Sequence, residues 1–175
     1  MRTAAAVCLL VLAAGCSAGG SPPDTSPASP RDGATAAPLP VPRSEVAGAV
    51  WGERLVVAGG FLRDGRTSGQ VDAWTPAGGW QGLPDLPEPR NHPGLAVLDD
   101  RLHLVGGYGE DGAASSAVWS LGEDDDTWRT EPALPEPRAA AGVASVQGRL
   151  VITGGAADGR QLDSTAVLGD RKSVV

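Results

Sequence analysis

Few side chains of this 175-residue chain have the type and spacing that chemistry requires. Its two cysteines, Cys8 and Cys16, both fall within the first sixteen residues. The sequence after them has no thiol, so it can form neither an internal disulfide nor a zinc site with cysteine ligands. It also has no Gly-x-Ser-x-Gly motif, P-loop or dinucleotide-binding fingerprint.

The two histidines offer little more. His103 lies inside the apolar stretch 102–105, which favours a half-buried or surface position in a strand over a ligand role. His92 follows Asn91 and opens another apolar stretch, so it stays a candidate for ligand binding, although we favour a structural role for it. A metal site needs several converging nitrogen or oxygen ligands, and no second histidine is in register with His92. We therefore predict no metal site and no cofactor.

Charged residues give two further patterns. Three arginines recur at separations of 47 and 48 residues: Arg43, Arg90 and Arg138. Such a recurrence could form a ring that recognises a ligand, but a structural repeat produces it as well. The acidic run 123–126 lacks the alternating ligands and the glycine of a calcium-binding loop, so we expect a solvated hairpin turn there. No pair of carboxylates stands out for acid–base catalysis.

The elements that must position these residues follow the same period. Three diglycines, each after a short apolar run, and two tryptophans recur 47 or 48 residues apart. They are Gly59, Gly60, Gly106, Gly107, Gly154 and Gly155, with Trp80 and Trp128. Several landmarks that keep one period indicate a structural repeat.

One repeat, residues 91–138, contains four short stretches that read as strands. They are predicted at 94–98, 102–105, 116–120 and 127–129. Four short strands per repeat, separated by glycine and proline, predict an antiparallel meander, and a radial array of such meanders is a β-propeller.

Composition agrees with an all-β chain. Glycine (25) and proline (15) are far more frequent than usual, which argues against long helices. Hydrophobic residues make up 41% of the chain, enough for a folded core. The net charge of −7 disfavours nucleic acid as a partner, because a phosphate backbone would be repelled.

The repeat resembles the kelch repeat. Its marks are an apolar run, a diglycine, an aromatic residue, a spaced tryptophan and an LP-x-PR segment, which repeats one and two carry at Phe61, Trp74 and Trp80 and at Tyr108, Trp119 and Trp128. Repeat three has Ala156 in the aromatic position. The resemblance implies an all-β fold, an incomplete kelch-type β-propeller with blades at about 43–90, 91–138 and 139–170.

The kelch resemblance also bears on function. In that family the end of the innermost strand can face the central pocket, so the resemblance implies a ligand face. Its candidates here are Arg43, Glu45, Arg90, Asn91, His92 and Arg138. The copper-radical sugar oxidases of the family need a tyrosine crosslinked to a cysteine. The only tyrosine here, Tyr108, follows a diglycine and no cysteine occurs after Cys16, which excludes that chemistry.

Residues 43–175 supply under three repeats, whereas closed propellers have four to eight blades. The segment 39–43 (LPVPR) reads as the end of a fourth strand with no blade before it. Two explanations are open. One is truncation of a longer chain, by family habit of six or seven blades. The other is head-to-tail association of two chains into six blades. The tail 170–175 breaks the repeat and favours truncation.

The first residues have the form of an export signal. Arg2 precedes an apolar stretch, 3–14, that is too short to span a bilayer, and small residues then lead to Cys16. The sequence Leu-Ala-Ala-Gly-Cys resembles the lipobox of bacterial lipoproteins. That resemblance implies a signal peptide at 1–15, acyl chains such as palmitate on Cys16, and anchoring to the extracytoplasmic face of a bacterial cell membrane. An ordinary signal peptide with a chance cysteine is the alternative.

The segment 16–42 is rich in serine, proline and alanine, which predicts a disordered or semi-extended tether before the partial propeller at 43–175. The sequence thus predicts a non-enzymatic binding or scaffold module that recognises a protein or glycan. The alternative is a fragment of a kelch-class sugar-processing enzyme, an isomerase or lyase, with catalytic residues partly outside this chain. A degenerate product without function is a third hypothesis.

Overall fold

A computed structural model describes residues 36–169. Within that range the regular structure is formed by short β-strands, and no helix is present. The predicted signal peptide, Cys16, the tether up to residue 35 and the tail 170–175 lie outside the described residues. No helix in the described range is long and apolar enough to cross a membrane.

The strands follow the repeat. They are β1 Arg43–Ser44, β2 Ala47–Trp51, β3 Arg54–Ala58, β4 Phe61–Leu62, β5 Val71–Thr75, β6 Gly79–Leu83, β7 Gly94–Leu98, β8 Arg101–Val105, β9 Val118–Leu121, β10 Arg129–Glu131, β11 Gly142–Val146, β12 Arg149–Thr153, β13 Ala156–Ala157, β14 Arg160–Gln161 and β15 Thr165–Gly169.

Three antiparallel sheets correspond to the three repeats. Blade 1 has the order β2-β3-β5-β6, blade 2 the order β7-β8-β9-β10, and blade 3 the order β11-β12-β15. Two small ribbons, β1-β4 and β13-β14, complete the pairing of the named strands. The prediction of an all-β, incomplete propeller fold is confirmed.

The blades pack face to face, with a hydrophobic core on each side of blade 2. Successive residues of a strand point to opposite faces, so neighbours in blade 2 enter different cores. Leu95 and Leu104 pack with Trp51 and Val56 of blade 1. Their neighbours Ala96 and Val105 belong to the core that also contains Leu150 and Ile152 of blade 3.

The diglycines occupy positions that only glycine fits. Gly106 has φ of +61°, and a Cβ atom there would lie 2.2 Å from the carbonyl oxygen of Arg138. The amide of Gly107 donates a hydrogen bond to that same oxygen at 3.0 Å. Gly59 repeats the arrangement, since its Cβ would lie 2.3 Å from the carbonyl oxygen of Arg90. The diglycine therefore brings the end of one strand against the chain entering the next blade.

The segment 39–42 corrects one expectation. It was predicted as the end of a fourth strand, but it is not a strand, and neither are the equivalent segments 86–89 and 134–137. Each carries two prolines, which have no amide hydrogen to donate to a sheet. These segments connect blades, and the first pairing after 39–42 is that of Arg43–Ser44 with Phe61–Leu62.

Two equivalent tryptophans donate hydrogen bonds to the segments that lead into blades 1 and 2. The indole Nε1 of Trp128 in blade 2 donates a hydrogen bond to the carbonyl of Pro84 at 2.9 Å. The indole Nε1 of Trp80 in blade 1 donates to the carbonyl of Ala37 at 2.9 Å. Ala37 and Pro84 lie 47 residues apart, at the same position of the repeat. Residues 36–42 therefore lie against blade 1 as residues 84–89 lie against blade 2.

Candidate ligand-binding cleft

An open cleft of about 810 Å³ lies where the loops of blades 1 and 2 meet. Three segments line it: the hairpin that follows the first diglycine, the start of blade 2, and the loop that follows the second diglycine. Their lining residues are Phe61, Asp64, Gly65, Arg66, Thr67, Asn91, His92, Tyr108, Gly109, Glu110 and Gly112.

His92 lies between two aromatic rings in this cleft. The centroid of its ring is 6.1 Å from that of Phe61 and 5.8 Å from that of Tyr108, with interplanar angles of 82° and 80°. Both are edge-to-face contacts, the arrangement that aromatic pairs favour. Phe61 and Tyr108 directly follow the first two diglycines, so the repeat itself places these rings on either side of His92.

One oxygen atom beside each ring nitrogen fixes the orientation of the His92 imidazole. His92 Nδ1 lies 2.8 Å from Asn91 Oδ1, and His92 Nε2 lies 3.1 Å from Glu45 Oε2. The amide nitrogen of Asn91 donates to Thr67 Oγ1 at 3.0 Å, which orients its oxygen toward the histidine. Both contacts of His92 are with acceptor oxygens, so both form together as hydrogen bonds only when each ring nitrogen carries a proton.

The backbone at His92 is left-handed, with φ of +51°, and so is that of its equivalents Glu45 (+52°) and Ala140 (+54°). The amide of His92 donates to the carbonyl of Glu45, and the amide of Ala140 donates to the carbonyl of His92. Left-handed backbone is uncommon outside glycine and persists where the surroundings hold it in place. These bonds hold the three positions in one row across the three blades.

The hairpin of blade 1 adds a charged pair to the rim. Arg66 Nε donates to Asp64 Oδ2 at 2.8 Å, and the Arg66 amide donates to Asp64 Oδ1 at 3.1 Å. The side-chain hydrogen bond with Arg66 is the main cause that lowers the pKa of Asp64, and it also raises the pKa of Arg66. Both side chains are exposed, so both are free to meet a ligand.

The cleft receives some of the residues predicted for a ligand face but not others. Asn91 and His92 line it, and Glu45 contacts His92. The hairpin residues Asp64 and Arg66 also line the cleft and were not predicted. The aromatic residues after the diglycines, Phe61 and Tyr108, were the available signal, but they were predicted only as marks of the repeat.

The three arginines of the predicted ligand face are not lining residues. Their side chains are buried, and each contacts the loop before the third long strand of the blade that follows it in sequence. Arg138 donates to the carbonyls of Gly154 and Ser164, both at 3.1 Å, and Arg90 donates to Ser115 Oγ at 3.3 Å. Arg43 donates to the carbonyl of Gln70 at 2.6 Å.

Carboxylates accompany these arginines. Arg138 pairs with Glu136 at 2.7 Å and Arg90 with Glu88 at 2.5 Å, while Arg43 pairs with Asp72. Burial lowers the pKa of Arg43, and the facing carboxylate opposes that shift. The guanidinium groups thus bind the loops of the blade that follows each arginine rather than facing the cleft.

The acidic run 123–126 forms a turn held by Asp125. The Asp125 carboxylate accepts from the amide of Gly122 at 2.9 Å and pairs with Arg101 at 2.7 Å and Arg129 at 2.5 Å. The bond from the Gly122 amide, and then the bond from Arg101, lower the pKa of Asp125. Among residues 36–169, no cluster of three or more histidine, cysteine, aspartate or glutamate side chains could hold a metal ion.

Comparison with known proteins agrees with this geometry. A family model described as "Kelch motif" matches residues 89–135, which correspond to blade 2. A comparison with curated proteins gave no match. The matched segment contains the second diglycine, Tyr108, Trp119 and Trp128, the landmarks that carried the resemblance. The chain therefore contains a kelch motif, and its fold is that of an incomplete kelch-type β-propeller.

Proposed function

We propose that this protein is a non-enzymatic binding module that holds a protein or glycan ligand in the cleft between blades 1 and 2. The observation that best supports this proposal is the position of His92 between Phe61 and Tyr108, inside an open cleft with hydrogen-bonding side chains around it. Ligand sites in proteins combine apolar or aromatic walls with a few placed polar groups, and this cleft has both. The kelch motif supports the same reading, as a protein-interaction module.

The charges of the cleft narrow the ligand class. Asp64 and Glu110 are acidic and Arg66 is basic, so neither sign dominates the lining. A strongly charged ligand would meet a repelling group in either case. The lining suits a ligand rich in both donors and acceptors, such as the hydroxyl groups of a glycan or the backbone of a peptide.

A matched pair of arginine variants tests the cleft. The parent chain is screened against an array of bacterial glycans and surface peptides, and the best ligand is titrated against Arg66→Ala and Arg129→Ala. Arg66 and Arg129 have side chains 72% and 63% exposed, and each pairs with one aspartate, but only Arg66 lines the cleft. We expect about a tenfold loss of affinity for Arg66→Ala and none for Arg129→Ala. Equal affinities, or no ligand at all, would contradict the proposal.

The proposal includes display at a cell surface. Support comes from the lipobox-like sequence that ends at Cys16, from which the part of the predicted tether before residue 36 would extend. A bacterial host that expresses the chain with labelled palmitate should incorporate the label into the membrane fraction. Cys16→Ser should abolish incorporation, whereas Cys8→Ser, the matched control, should retain it. Labelling that survives Cys16→Ser would contradict lipid attachment at that residue.

One contact favours a second candidate function, a fragment of a kelch-class sugar-processing isomerase or lyase. His92 faces the cleft with Glu45 at 3.1 Å from Nε2, and a histidine oriented by a carboxylate can transfer protons. Incubation of the parent chain with bound oligosaccharides, followed by mass spectrometry, separates the candidates. Unchanged oligosaccharide supports the binding module, whereas products that disappear with His92→Gln would support the enzyme.

A further inference from the structure

Large hydrophobic side chains are exposed at the two ends of the row of blades. Val50 and Leu55 are 69% and 41% exposed on blade 1, and Val146 and Val167 are 49% and 52% exposed on blade 3. Among the described residues, no such exposed side chain belongs to blade 2, which packs against a blade on each face. The end faces thus resemble blade interfaces that lack their other half.

Repeat equivalence shows what these end faces fit. Leu55 is equivalent to Leu102, which is fully buried in the core between blades 1 and 2. Val146 is equivalent to Leu98, which is buried in the core between blades 2 and 3. The free face of blade 1 therefore corresponds to the face that blade 2 turns toward blade 1. The free face of blade 3 corresponds to the face that blade 2 turns toward blade 3. The two are complementary halves of an interface that the chain already forms twice.

The tryptophan contacts identify the neighbour that blade 1 lacks. Trp128 of blade 2 holds Pro84, which lies in the loop leaving the outer strand of blade 1. Trp80 of blade 1 holds Ala37 in the same way, although residues 36–169 contain no blade before it. The residues around Ala37 thus occupy, beside blade 1, the position that the loop leaving blade 1 occupies beside blade 2. A blade of the same kind fits there.

We propose that a second copy of this chain supplies that blade. Blade 3 of each copy packs against blade 1 of the other, so that Val146 and Val167 meet the face that carries Val50 and Leu55. The interface is head to tail, and each copy carries both halves; it closes into a ring when the rotation between neighbouring blades is the same at every interface. The described residues of two copies then contribute six blades to the ring, within the range of four to eight that propellers adopt. The apolar end faces are buried by this assembly.

The first test is the mass of the full chain in solution. Light scattering should give about 35 kDa, twice the 17.7 kDa of one chain. Val50→Asp and Val167→Asp should each give the mass of one chain, because a charge buried at an apolar interface is strongly unfavourable. Thr130→Asp is the control, since Thr130 is exposed on blade 2 and belongs to neither end face. It should remain a dimer.

Mixing the variants tests the head-to-tail geometry. Each Val50→Asp dimer would have two damaged interfaces, and so would each Val167→Asp dimer. A mixed dimer has one interface with both substitutions and one with none. Mixing the two monomeric variants should therefore restore dimers, whereas neither variant alone should form them. A face-to-face dimer of two blade 1 surfaces would not be restored by this mixture.

Circular dichroism must show that each variant keeps its β-structure. If either aspartate variant unfolds, the threonine variant at the same position, Val50→Thr or Val167→Thr, is used instead. Each threonine variant should raise the dissociation constant of the dimer at least tenfold. A folded parent chain that stays at the mass of one copy up to millimolar concentration would overturn the proposal. Open polymers, or dimers that resist all four substitutions, would overturn it as well.

Discussion

The amide of His92 donates a hydrogen bond to the carbonyl of Glu45 at 3.0 Å, across 47 residues of sequence. The amide of Ala140 repeats this bond to the carbonyl of His92 at 2.9 Å. The residue at the centre of the cleft is therefore positioned by the junctions between blades, not by its own strand alone. Changes that loosen blade packing are expected to weaken ligand binding even when they lie far from the cleft.

We predict that Gly106→Val destabilises the folded chain by about 3 kcal/mol or more, because its side chain would meet the Arg138 carbonyl. Gly148→Val is the control. Gly148 also has a positive φ, of +71°, but no atom lies within 4 Å of a Cβ built there. That substitution should cost only about 1–2 kcal/mol for the left-handed backbone. Thermal and urea unfolding of both variants checks this, and an unchanged melting temperature for Gly106→Val would refute the tight packing at the diglycine.

We predict that Arg138→Met costs about 3 kcal/mol, because it removes the buried side-chain donor to the carbonyl of Gly154 and one of the two donors to the carbonyl of Ser164, and leaves Glu136 without its buried partner. The same substitution at Arg129, whose pair with Asp125 is largely exposed, should cost at most about 0.5 kcal/mol. Urea denaturation with a common m-value measures both. Equal losses would show that the recurring arginine does not hold the blades together.

Trp128→Phe and Trp80→Phe form a second matched pair, since each removes one indole hydrogen bond to a connecting segment. Trp128 is buried in the core between blades, whereas the bond of Trp80 is exposed to water. We expect a loss of about 1–3 kcal/mol at Trp128 and less than about 1 kcal/mol at Trp80. Burial of Trp80 at the interface of the proposed dimer would raise its loss of unfolding free energy. Both tryptophan variants are therefore measured in a monomeric background such as Val50→Asp.

The chain should lose stability in mild acid through His103. Burial lowers the pKa of this residue, so the unfolded chain binds a proton more readily than the folded chain does. Its contribution is complete above the unfolded pKa of about 6.5 and is lost as pH falls toward the lower folded value. His103→Gln should flatten this part of the profile of unfolding free energy between pH 7.5 and pH 5. A parent profile that is already flat there, or one that the substitution leaves unchanged, would contradict the assignment.

The sequence pattern predicted the four strands of blade 2, with the fourth at 127–129 rather than at its observed bounds, Arg129–Glu131, and a hydrogen bond distant in sequence explains one of the shifts. In blade 2 the first strand is the predicted one, and β8 adds only Arg101. The third strand begins at Val118 rather than at Ser116, because the carbonyl of Ser116 accepts a hydrogen bond from Leu134 in the connecting segment. Such a contact joins residues 18 apart and leaves no mark in the local pattern of apolar residues.

The cleft was harder to predict than the fold. Periodicity places an arginine two residues before the position of His92 in every repeat, but it does not say which of the two side chains faces the cleft. The structure buries Arg90 against a loop of blade 2 and leaves His92 in the cleft. The residues that complete the lining, such as Asp64 and Glu110, come from loops of two different blades, which the sequence separates by more than forty positions.

The hydrogen bond from Trp80 to the carbonyl of Ala37 also has a mechanical consequence. In the surface-tethered arrangement proposed above, tension on the anchor would first reach the folded body at this hydrogen bond, on the outermost strand of blade 1. It then peels residues 38–42, which pair with no strand, before it reaches the ribbon of Arg43–Ser44. Fully extended, these five residues would span at most about 18 Å, at roughly 3.5 Å each, while the four-stranded sheet stays intact. The contact of residues 37–42 with blade 1 would therefore open under force before the sheet does, and it would re-form when the load is removed.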